Sequence, residues 1–289
     1  MKVNLEKELH NMCIQNKDGS YSTQYNRRKI LTQAASDLKK LGFFNLSPKG
    51  LKPKHVESLV QHWKESEIKP ATIKNRMSHL RWWAKKINKA AVVAKNNDSY
   101  GIDKRQYVTN KSKALHLSND KILRIKDERI RASVELQRAF GLRREECLKF
   151  QPSYAIRPDK IVLKASWTKG GKEREVPIRN QFQRDILDRV SQLAGGGSMI
   201  PSDYKYKEWL HRYNGQVATA GLSKLHGLRH QYAQDRYHEI TGRHCPARGG
   251  LTSKKLSPEQ KGKDQEARLI ISKELGHERE AITAIYLGR

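Results

Sequence analysis

Hydrophobic spacing in the N-terminal third of the chain is typical of amphipathic helices. Apolar and small side chains recur every three or four positions in three stretches, which places them on one face of a helix. The first stretch lies between Ser20 and Phe43, the second follows Pro53, and the third follows Pro70. Proline at the start of a helical pattern is itself a start signal. The pattern therefore predicts three helices that form a small helical domain.

Polar residues interrupt this periodicity further along the chain. Residues 88–117 are largely polar and basic, which indicates an interdomain linker. Ser118 is a suitable helix cap, and the apolar spacing resumes after it, so a helix is expected from Asn119 onwards. Additional helices are expected near residues 182–193 and 205–220. The C-terminal part of the chain is therefore predicted to be mainly helical as well.

One pair of short strands is expected among these helices. Ile161–Leu163 and Glu175–Ile178 have strand character, and they flank the glycine-containing segment Thr168–Lys172. Two such runs joined by a glycine-containing turn indicate a β-hairpin. The turn would present two lysines, Lys169 and Lys172, to solvent.

These elements define the expected fold class, which is mainly α with a small antiparallel β-sheet. A chain of 289 residues has room for a substantial core, and two domains are slightly favoured over one. We expect a helical domain that ends in the linker over residues 1–110 and a second domain over residues 111–289.

The charge balance narrows the range of partners. The chain has 58 Lys and Arg residues against 30 Asp and Glu residues, a formal net charge of +28. Double-stranded DNA is the favoured partner, because cationic side chains release the counterions condensed on its phosphates. A membrane ranks lower, since no apolar run approaches the roughly 18 residues that a spanning helix needs. A basic protein of the ribosomal type is an alternative on charge alone.

Basic side chains on the polar faces of the predicted N-terminal helices are positioned to follow a phosphate backbone. An ordinary solvated face is the alternative for any one of them. The candidates for DNA contact are Arg27, Arg28, Lys74, Arg76 and Arg81, with Lys172 in the hairpin turn.

The chain has three cysteines, Cys13, Cys147 and Cys245, whose spacing suggests neither a disulfide framework nor a zinc site. Its polar N-terminal residues lack the apolar run of a secretory signal. The sequence therefore predicts a cytoplasmic, nucleoid-associated protein with reduced cysteines.

The C-terminal half contains the residue types needed to break a phosphodiester without hydrolysis. That reaction requires a nucleophile, cationic donors for the charge on the phosphate, and an acid for the departing oxygen. Arg143 ends a Gly-Leu-Arg motif, and Arg229 lies one helical turn after His226. A Leu-Gly-His motif ends at His277 and precedes Tyr286. Arginine suits a phosphoryl group because its fork donates two parallel, charge-assisted hydrogen bonds.

The order of these motifs resembles that of the tyrosine recombinase family of the phage integrase type. The chain has, in turn, the Gly-Leu-Arg motif, the lysine-bearing hairpin, His-x-x-Arg-His, Leu-Gly-His and the tyrosine. The resemblance covers roughly residues 118–289 and implies a catalytic domain there. The N-terminal helices are similar, with lower specificity, to the SAM-like core-binding domain of that family.

Carried over position by position, the resemblance implies one active site. Two arginines and a histidine would hold the non-bridging oxygens, and a lysine would protonate the leaving 5′-oxygen. A second histidine would act as acid or base, and the tyrosine would form a 3′-phosphotyrosyl bond. No metal and no other cofactor is implied. The implied catalytic residues are Arg143, Lys169, His226, Arg229, His277 and Tyr286, with Lys172 as the alternative lysine.

Two further residues are implied to support this site. Glu146 matches an acidic position that buttresses it, with an ordinary helix salt bridge as the alternative, and His230 would be a packed neighbour. The spacing between His226 and His277 is longer than in compact members of the family. The extra length falls in Gly242–Gly262, which we expect to be a long loop. Contact with DNA or a neighbouring protomer and a plain surface insertion are the alternatives for this loop.

The implied function is site-specific recombination or integration of DNA, typical of a mobile genetic element. Homo-oligomers would form on the DNA, with a dimer at each site and a tetramer in the synapse. A type IB topoisomerase-like enzyme that relaxes DNA shares this chemistry, and a DNA-binding accessory protein without turnover shares the fold. Both are alternatives at the level of sequence.

Overall fold

The computed structural model describes residues 4–104, 106–277 and 279–289. The chain divides into two compact units, Met1–Gln106 and Tyr107–Arg289. Each unit has a hydrophobic core of its own. In the part of the chain that the structure describes, no helix combines the length and the apolar character needed to cross a membrane.

The first unit is built from helices around one core. Three of them are the helices that the apolar spacing predicts, and an additional one precedes them. Capping explains where two of the helices start, because the side chains of Asn4 and Ser20 accept the backbone N–H groups of Lys7 and Thr23. Apolar residues of all these helices meet in one buried cluster. The helices are α1 Leu5–Gln15, α2 Tyr21–Lys40, α3 Pro53–Glu65 and α4 Pro70–Lys86.

Several residues that follow α4, as far as Ile102, pack on the first unit. Val93 and Ile102 are buried in its core. The guanidinium group of Arg81 donates to the backbone carbonyl of Ala94 and to the side chain of Asn97. Residues up to Ile102 therefore belong to the first unit, and the linker predicted over residues 88–117 stays a prediction for the part beyond them. Isolated apolar residues among polar ones give no periodic signal, so the sequence pattern did not reveal their burial.

The second unit is mainly helical with one small sheet, which confirms the predicted fold class. Longer helices form its body, and short ones connect them. The helices are α5 Asn119–Leu123, α6 Glu128–Phe140, α7 Arg144–Leu148, α8 Pro152–Ala155, α9 Gln181–Ala194, α10 Tyr206–Thr219, α11 Gly227–Thr241, α12 Pro258–Glu274 and α13 Glu280–Leu287.

The sheet consists of the predicted hairpin. Its strands, β1 Lys160–Leu163 and β2 Arg174–Pro177, are antiparallel. Side chains of a strand alternate between its two faces. Along β2, Arg174 and Val176 are buried while Glu175 is exposed. The strand thus directs one arginine into the interior of the unit.

Helix α6 lies at the centre of the second unit, packed against α9 and α11. Its apolar residues contribute to two buried clusters, one on each side. The helix ends at Gly141, which adopts a left-handed conformation with φ of 60°. This turn leads the chain into Arg143 at the start of α7.

The segment Gly242–Gly262 is more tightly packed than a long loop. Helix α12 begins within it, capped by Ser257, whose hydroxyl accepts the backbone N–H of Gln260 while the Gln260 side chain accepts the N–H of Ser257. Cys245 and Ala247 are buried in the main core of the unit. The prediction of a loop through the whole segment is therefore wrong, and a plain surface insertion does not describe it.

We expect Gly141→Ala to destabilise the second unit by about 2–4 kcal/mol. The left-handed conformation strains a residue with a side chain, and the added Cβ would lie 2.6 Å from Cδ1 of Tyr232. Urea unfolding of the wild type and the variant measures the change. Gly215→Ala is the matched control, because it lies inside α10 with open space around it, and it should raise stability by about 0.5–1 kcal/mol. Equal effects at the two positions would contradict this account.

Candidate active site

Arg143 stands between α6 and α7 in an extended backbone conformation. Its backbone N–H donates to Oε2 of Glu146 at 2.6 Å, and its Nη1 donates to Oε1 of the same carboxylate at 2.8 Å. The Glu146 side chain is fully buried, whereas the side chain of Arg143 is 22% exposed. The guanidinium group is therefore fixed from the protein side and open on the other.

Arg229 lies in the first turn of α11 and is fully buried. Its Nη1 donates to the carbonyl of Gly141 at 2.6 Å, its Nη2 donates to the carbonyl of Leu275, and its Nε lies 3.4 Å from Oη of Tyr286. Burial, followed by the charge of Arg174 and then that of Arg143, lowers the pKa of Arg229 to about 10. The group therefore stays cationic at neutral pH.

The carbonyl oxygen of Leu275 is a shared acceptor for three guanidinium groups. Arg143 and Arg174 each approach it at 3.4 Å, and Arg229 also donates to it. Leu275 follows the last residue of α12, where carbonyl groups lack partners within the helix and the helix dipole is negative. The C-terminal end of α12 is thus the point at which the three arginines meet.

Arg174 belongs to this cluster, although the sequence analysis did not select it. It projects from β2, is 7% exposed, and donates through Nη1 and Nη2 to the two oxygens of Glu146 at 2.8 Å and 2.7 Å. Strand alternation could have revealed it, because it places Arg174 on the same face as the apolar Val176. A charged side chain on a buried face needs a partner of opposite charge.

Glu146 is the anion that holds this cluster together. Burial by itself raises the pKa of its carboxyl group, but the charge and hydrogen bonds of Arg174 and the charges of Arg229 and Arg143 together outweigh burial. The net result is a pKa below the ordinary value. Because the carboxylate links arginines from a strand and from a helix start, an ordinary helix salt bridge does not describe it.

Helix α13 brings Tyr286 to the arginines, where three imidazole rings surround it. Its Oη lies 3.4 Å from Nε2 of His226. The ring of His277 stacks on the tyrosine ring with centroids 5.3 Å apart, and the centroid of His230 lies 4.4 Å away. Tyr286 is only 7% exposed. The structure therefore brings the predicted tyrosine, both predicted histidines and the packed neighbour together in one chain.

The three imidazole groups all have lowered pKa values, and burial is the first cause for each. For His277 the charges of Arg229 and Arg143 add to burial and lower the pKa to about 3. For His230 the charge of His226 follows burial, and the pKa falls to about 4. The pKa of His226 is also lowered, with Arg229 and Arg143 as the further causes. The imidazoles beside the tyrosine are therefore neutral at pH 7.

Three contacts within the second unit fix the backbone around Tyr286. Gln234 Nε2 donates to the carbonyl of Tyr286 at 3.0 Å, and Arg268 Nη1 donates to the carbonyl of Gly288 at 2.9 Å. The side chain of Asn110 forms two hydrogen bonds of 2.8 Å with the backbone of Arg289. The sequence pattern gives no sign of these supporting residues, because isolated polar side chains form no motif.

A cavity of about 1270 Å³ opens over this site. The turn between β1 and β2 brings Lys169 and Lys172 to its rim, where both side chains are exposed. Its wall includes the predicted catalytic side chains of Arg143, His226, His277 and Tyr286. The structure therefore brings both candidate lysines, and not one of them alone, to the site.

Arg27, predicted to contact DNA, has an internal role in the first unit. It is 5% exposed. Its Nη1 donates to Asp18 at 2.9 Å, and its guanidinium group lies 4.2 Å from the centre of a Trp82 ring. These contacts correct the expectation that Arg27 reaches a phosphate backbone, because its charge is already used inside the unit.

The other basic candidates of the first unit are partly exposed. Arg76 packs over Trp63, with 4.8 Å between the guanidinium carbon and the ring centre, and Arg81 is bonded within the unit as described above. Arg28 and Lys74 are also partly exposed. A contact of any of these four residues with DNA stays a prediction.

Solved structures with a similar fold include three recombination proteins. A lambda integrase dimer bound to a COC' core site has a TM-score of 0.61 and 16% identity, over 100% of this chain and 79% of that chain. The XerH site-specific recombinase bound to a palindromic difH substrate has a TM-score of 0.59 and 16% identity, over 98% of this chain and 81% of that chain. The Tn1549 transposon integrase in complex with circular intermediate DNA has a TM-score of 0.56 and 13% identity, over 99% of this chain and 96% of that chain. At these identities the likeness shows the fold alone.

Family models extend the comparison to sequence. A model described as phage integrase, N-terminal, matches residues 2–92, and a model described as integrase matches residues 105–235. Together the two models match most of the chain, which belongs to the tyrosine recombinase family of the phage integrase type. The second match ends before His277 and Tyr286, so the placing of these two residues rests on the geometry described above. The comparison with curated protein sequences finds no match.

We expect the imidazole groups of His277 and His230 to stay neutral at pH 5, with pKa values of about 3 and about 4. Both values lie below the roughly 6.5 of an unfolded histidine. Their contribution to stability is therefore complete above pH 6.5 and is lost as the pH falls toward 4. NMR titration of the rings and urea unfolding at several pH values measure this. His230→Phe should flatten the stability profile in that window, whereas rings that titrate near pH 6.5 would contradict the prediction.

Proposed function

We propose that the protein is a site-specific DNA recombinase that cleaves and rejoins strands through a covalent bond to Tyr286. The observation that carries this proposal is the position of Tyr286 Oη, 3.4 Å from both Nε of Arg229 and Nε2 of His226. A nucleophile beside a base and a buried cation is suited to attack on a phosphodiester. Distances of this length are common before substrate binds and shorten in the reacting complex.

In the proposed first step, Tyr286 Oη attacks the scissile phosphorus. The bond from Oη to phosphorus forms while the bond from phosphorus to the 5′-oxygen breaks. The phenolic proton passes to the neutral Nε2 of His226, and the departing oxygen takes a proton from Lys169 of the hairpin turn. The products are a 3′-phosphotyrosine and a free 5′-hydroxyl group. Attack by a 5′-hydroxyl of another strand reverses the step, so the number of phosphoester bonds is conserved and the scheme consumes no nucleotide.

Arg143 and Arg229 are the proposed donors to the non-bridging oxygens, where negative charge builds in the transition state. Glu146 and the Leu275 carbonyl hold these guanidinium groups before substrate arrives. Donors fixed in this way stabilise developing charge without reorganising during the reaction. The neutral ring of His277, stacked on the tyrosine, is the proposed third donor.

Double-stranded DNA is the proposed substrate. A net charge of +28 favours a polyanion, and the similar structures of lambda integrase, XerH and the Tn1549 integrase contain DNA. Lambda integrase has been solved as a dimer on a core site and as a tetramer on a Holliday junction. By this likeness we infer a dimer of this chain at each site and a tetramer in the synapse, with the first unit as the core-binding domain.

Tyr286→Phe should abolish the covalent product. On a nicked suicide DNA substrate, the wild type should form a protein–DNA adduct that survives denaturing electrophoresis, and the variant should form more than about 1000-fold less. Its DNA affinity should stay within about twofold, because binding depends mainly on contacts to phosphates elsewhere.

Tyr206→Phe, at the start of α10 and away from the site, is the matched control and should form the adduct normally. Adduct formation by Tyr286→Phe would place the nucleophile elsewhere. DNA binding by the wild type without any adduct would reject the enzymatic proposal.

The lysine that protonates the leaving oxygen can be identified with a substrate that carries sulfur in place of the bridging 5′-oxygen. A thiolate leaves without an acid, because thiols have pKa values of about 8.5 and hydroxyl groups have values nearer 16. The Lys169→Ala variant should cleave ordinary DNA about 100- to 10 000-fold more slowly than the wild type. It should cleave the sulfur substrate at nearly the wild-type rate. Lys172→Ala should behave like the wild type on both substrates. The opposite pattern would assign the acid to Lys172.

A further inference from the structure

Arg174 is a buried arginine for which the catalytic scheme above has no task. It projects from β2 directly after the turn that carries Lys169, and it is 7% exposed. Its two terminal nitrogens face the two oxygens of Glu146 in a bidentate arrangement, at 2.8 Å and 2.7 Å. Among the described residues its Nε is buried without a hydrogen-bond partner. A long cationic side chain is thus kept in the interior at considerable cost.

Among the described residues, each acceptor of Arg174 is also an acceptor of a proposed phosphate donor. Oε1 of Glu146 receives Nη1 of Arg143 as well as Nη1 of Arg174, and Oε2 receives the Arg143 backbone N–H as well as Nη2 of Arg174. The Leu275 carbonyl accepts from both arginines and from Arg229. The position of Arg143 therefore depends on acceptors that Arg174 also holds.

The charges in the cluster show what Arg174 adds. Three guanidinium groups and one carboxylate leave an excess of two positive charges. A phosphodiester carries one negative charge, and its pentavalent transition state carries about two. Without Arg174, Arg143 would keep its hydrogen bonds to the buried Glu146 carboxylate and, together with Arg229, would have to balance its charge. The charge of Arg143 would then be drawn away from the substrate.

Arg174 also packs against the turn that leads to His277. Gly276 has a φ of 63°, and a Cβ atom at that position would lie 2.8 Å from Cδ of Arg174. The arginine stem therefore fills the space below this turn. The Arg174 side chain thus contacts both the Glu146 carboxylate, which binds Arg143, and the Gly276 backbone, which precedes His277. Arg174 itself lies on β2, which follows the turn that carries Lys169.

We propose that Arg174 is a positioning residue of the cleavage reaction, which neutralises Glu146 so that Arg143 remains available to the phosphate and which ties the lysine hairpin to the arginine cluster. This inference rests on the proposed function. A salt bridge that only stabilised the fold would affect unfolding and would leave the rate of the chemical step of the folded enzyme unchanged.

The test compares Arg174→Met and Arg174→Lys with the wild type, each with and without Glu146→Gln. The measured quantities are the single-turnover rate of adduct formation on the nicked substrate, the DNA affinity and the unfolding midpoint. Arg174→Met should slow adduct formation by about 100-fold, the usual effect of a small misplacement of catalytic groups. DNA affinity should change by less than about threefold. Arg174→Lys keeps the charge but loses the bidentate pair, so its rate should be intermediate.

Adding Glu146→Gln to Arg174→Met should raise the rate of adduct formation at least about tenfold above that of Arg174→Met, since a neutral amide no longer competes for Arg143. Arg236→Met is the matched control, because Arg236 forms a comparable ion pair with Glu274, with 3.0 Å between Nε and Oε1, in the same unit. It should lower stability and leave the rate within about threefold. A rate for Arg174→Met equal to that of Arg236→Met, or a double variant slower than Arg174→Met, would overturn the proposal. If Arg174→Met fails to fold, Arg174→Lys and its double variant decide in the same way.

A second readout does not depend on cleavage. NMR titration of the Glu146 carboxyl group should show a pKa below its usual value in the wild type and a clearly higher one in Arg174→Met, since burial then dominates. An unchanged pKa would overturn the coupling between Arg174 and Glu146. A wild type that forms no adduct would reject the proposed function, while this titration still decides whether Arg174 controls Glu146.

Discussion

The second unit is organised around a buried excess of positive charge. Arg143 and Arg174 both donate to a single carboxylate, Glu146, and both share the carbonyl of Leu275 with Arg229. Burying a charge is costly unless it is paired and hydrogen-bonded, and one carboxylate cannot neutralise three guanidinium groups. The cluster therefore keeps part of its charge unbalanced beneath an open cavity. An anion that entered this cavity would complete the balance.

This requirement explains several features that otherwise look unrelated. The chain needs carbonyl groups that lack other partners, and helix ends supply them: Gly141 ends α6, and Leu275 follows α12. It also needs nearby groups that add no further positive charge. The neutral imidazoles of His277 and His230 meet that need, because burial and the arginines lower their pKa values. The tyrosine consequently sits among neutral rings beside a fixed cation.

The parts of the fold and of the site that the sequence predicts are those with a periodic or motif signal. Apolar spacing located α2, α3 and α4, and strand character located the hairpin. The remaining features depend on long-range pairing, which leaves no local pattern. Strand alternation places Arg174 on the buried face of β2, but its partner Glu146 lies far away in sequence and gives no local signal. For the same reason the burial of Arg27 against Asp18, and of Cys245 in a polar segment, follows from tertiary contacts alone.

The position of the tyrosine and its reactivity are set by different groups. Its backbone is held by Gln234 at its own carbonyl and by Arg268 at the carbonyl of Gly288, and neither contact involves the phenol. The segment around Ala247 packs against the same stretch, since a Cβ atom on Gly288 would lie 2.7 Å from the Ala247 nitrogen. The phenolic oxygen, in contrast, lies within hydrogen-bond distance of two of the described residues, Arg229 and His226. Separate control of this kind would hold the proposed nucleophile through its main chain and leave its oxygen free to exchange a protein contact for a bond to phosphorus, as the proposed reaction requires.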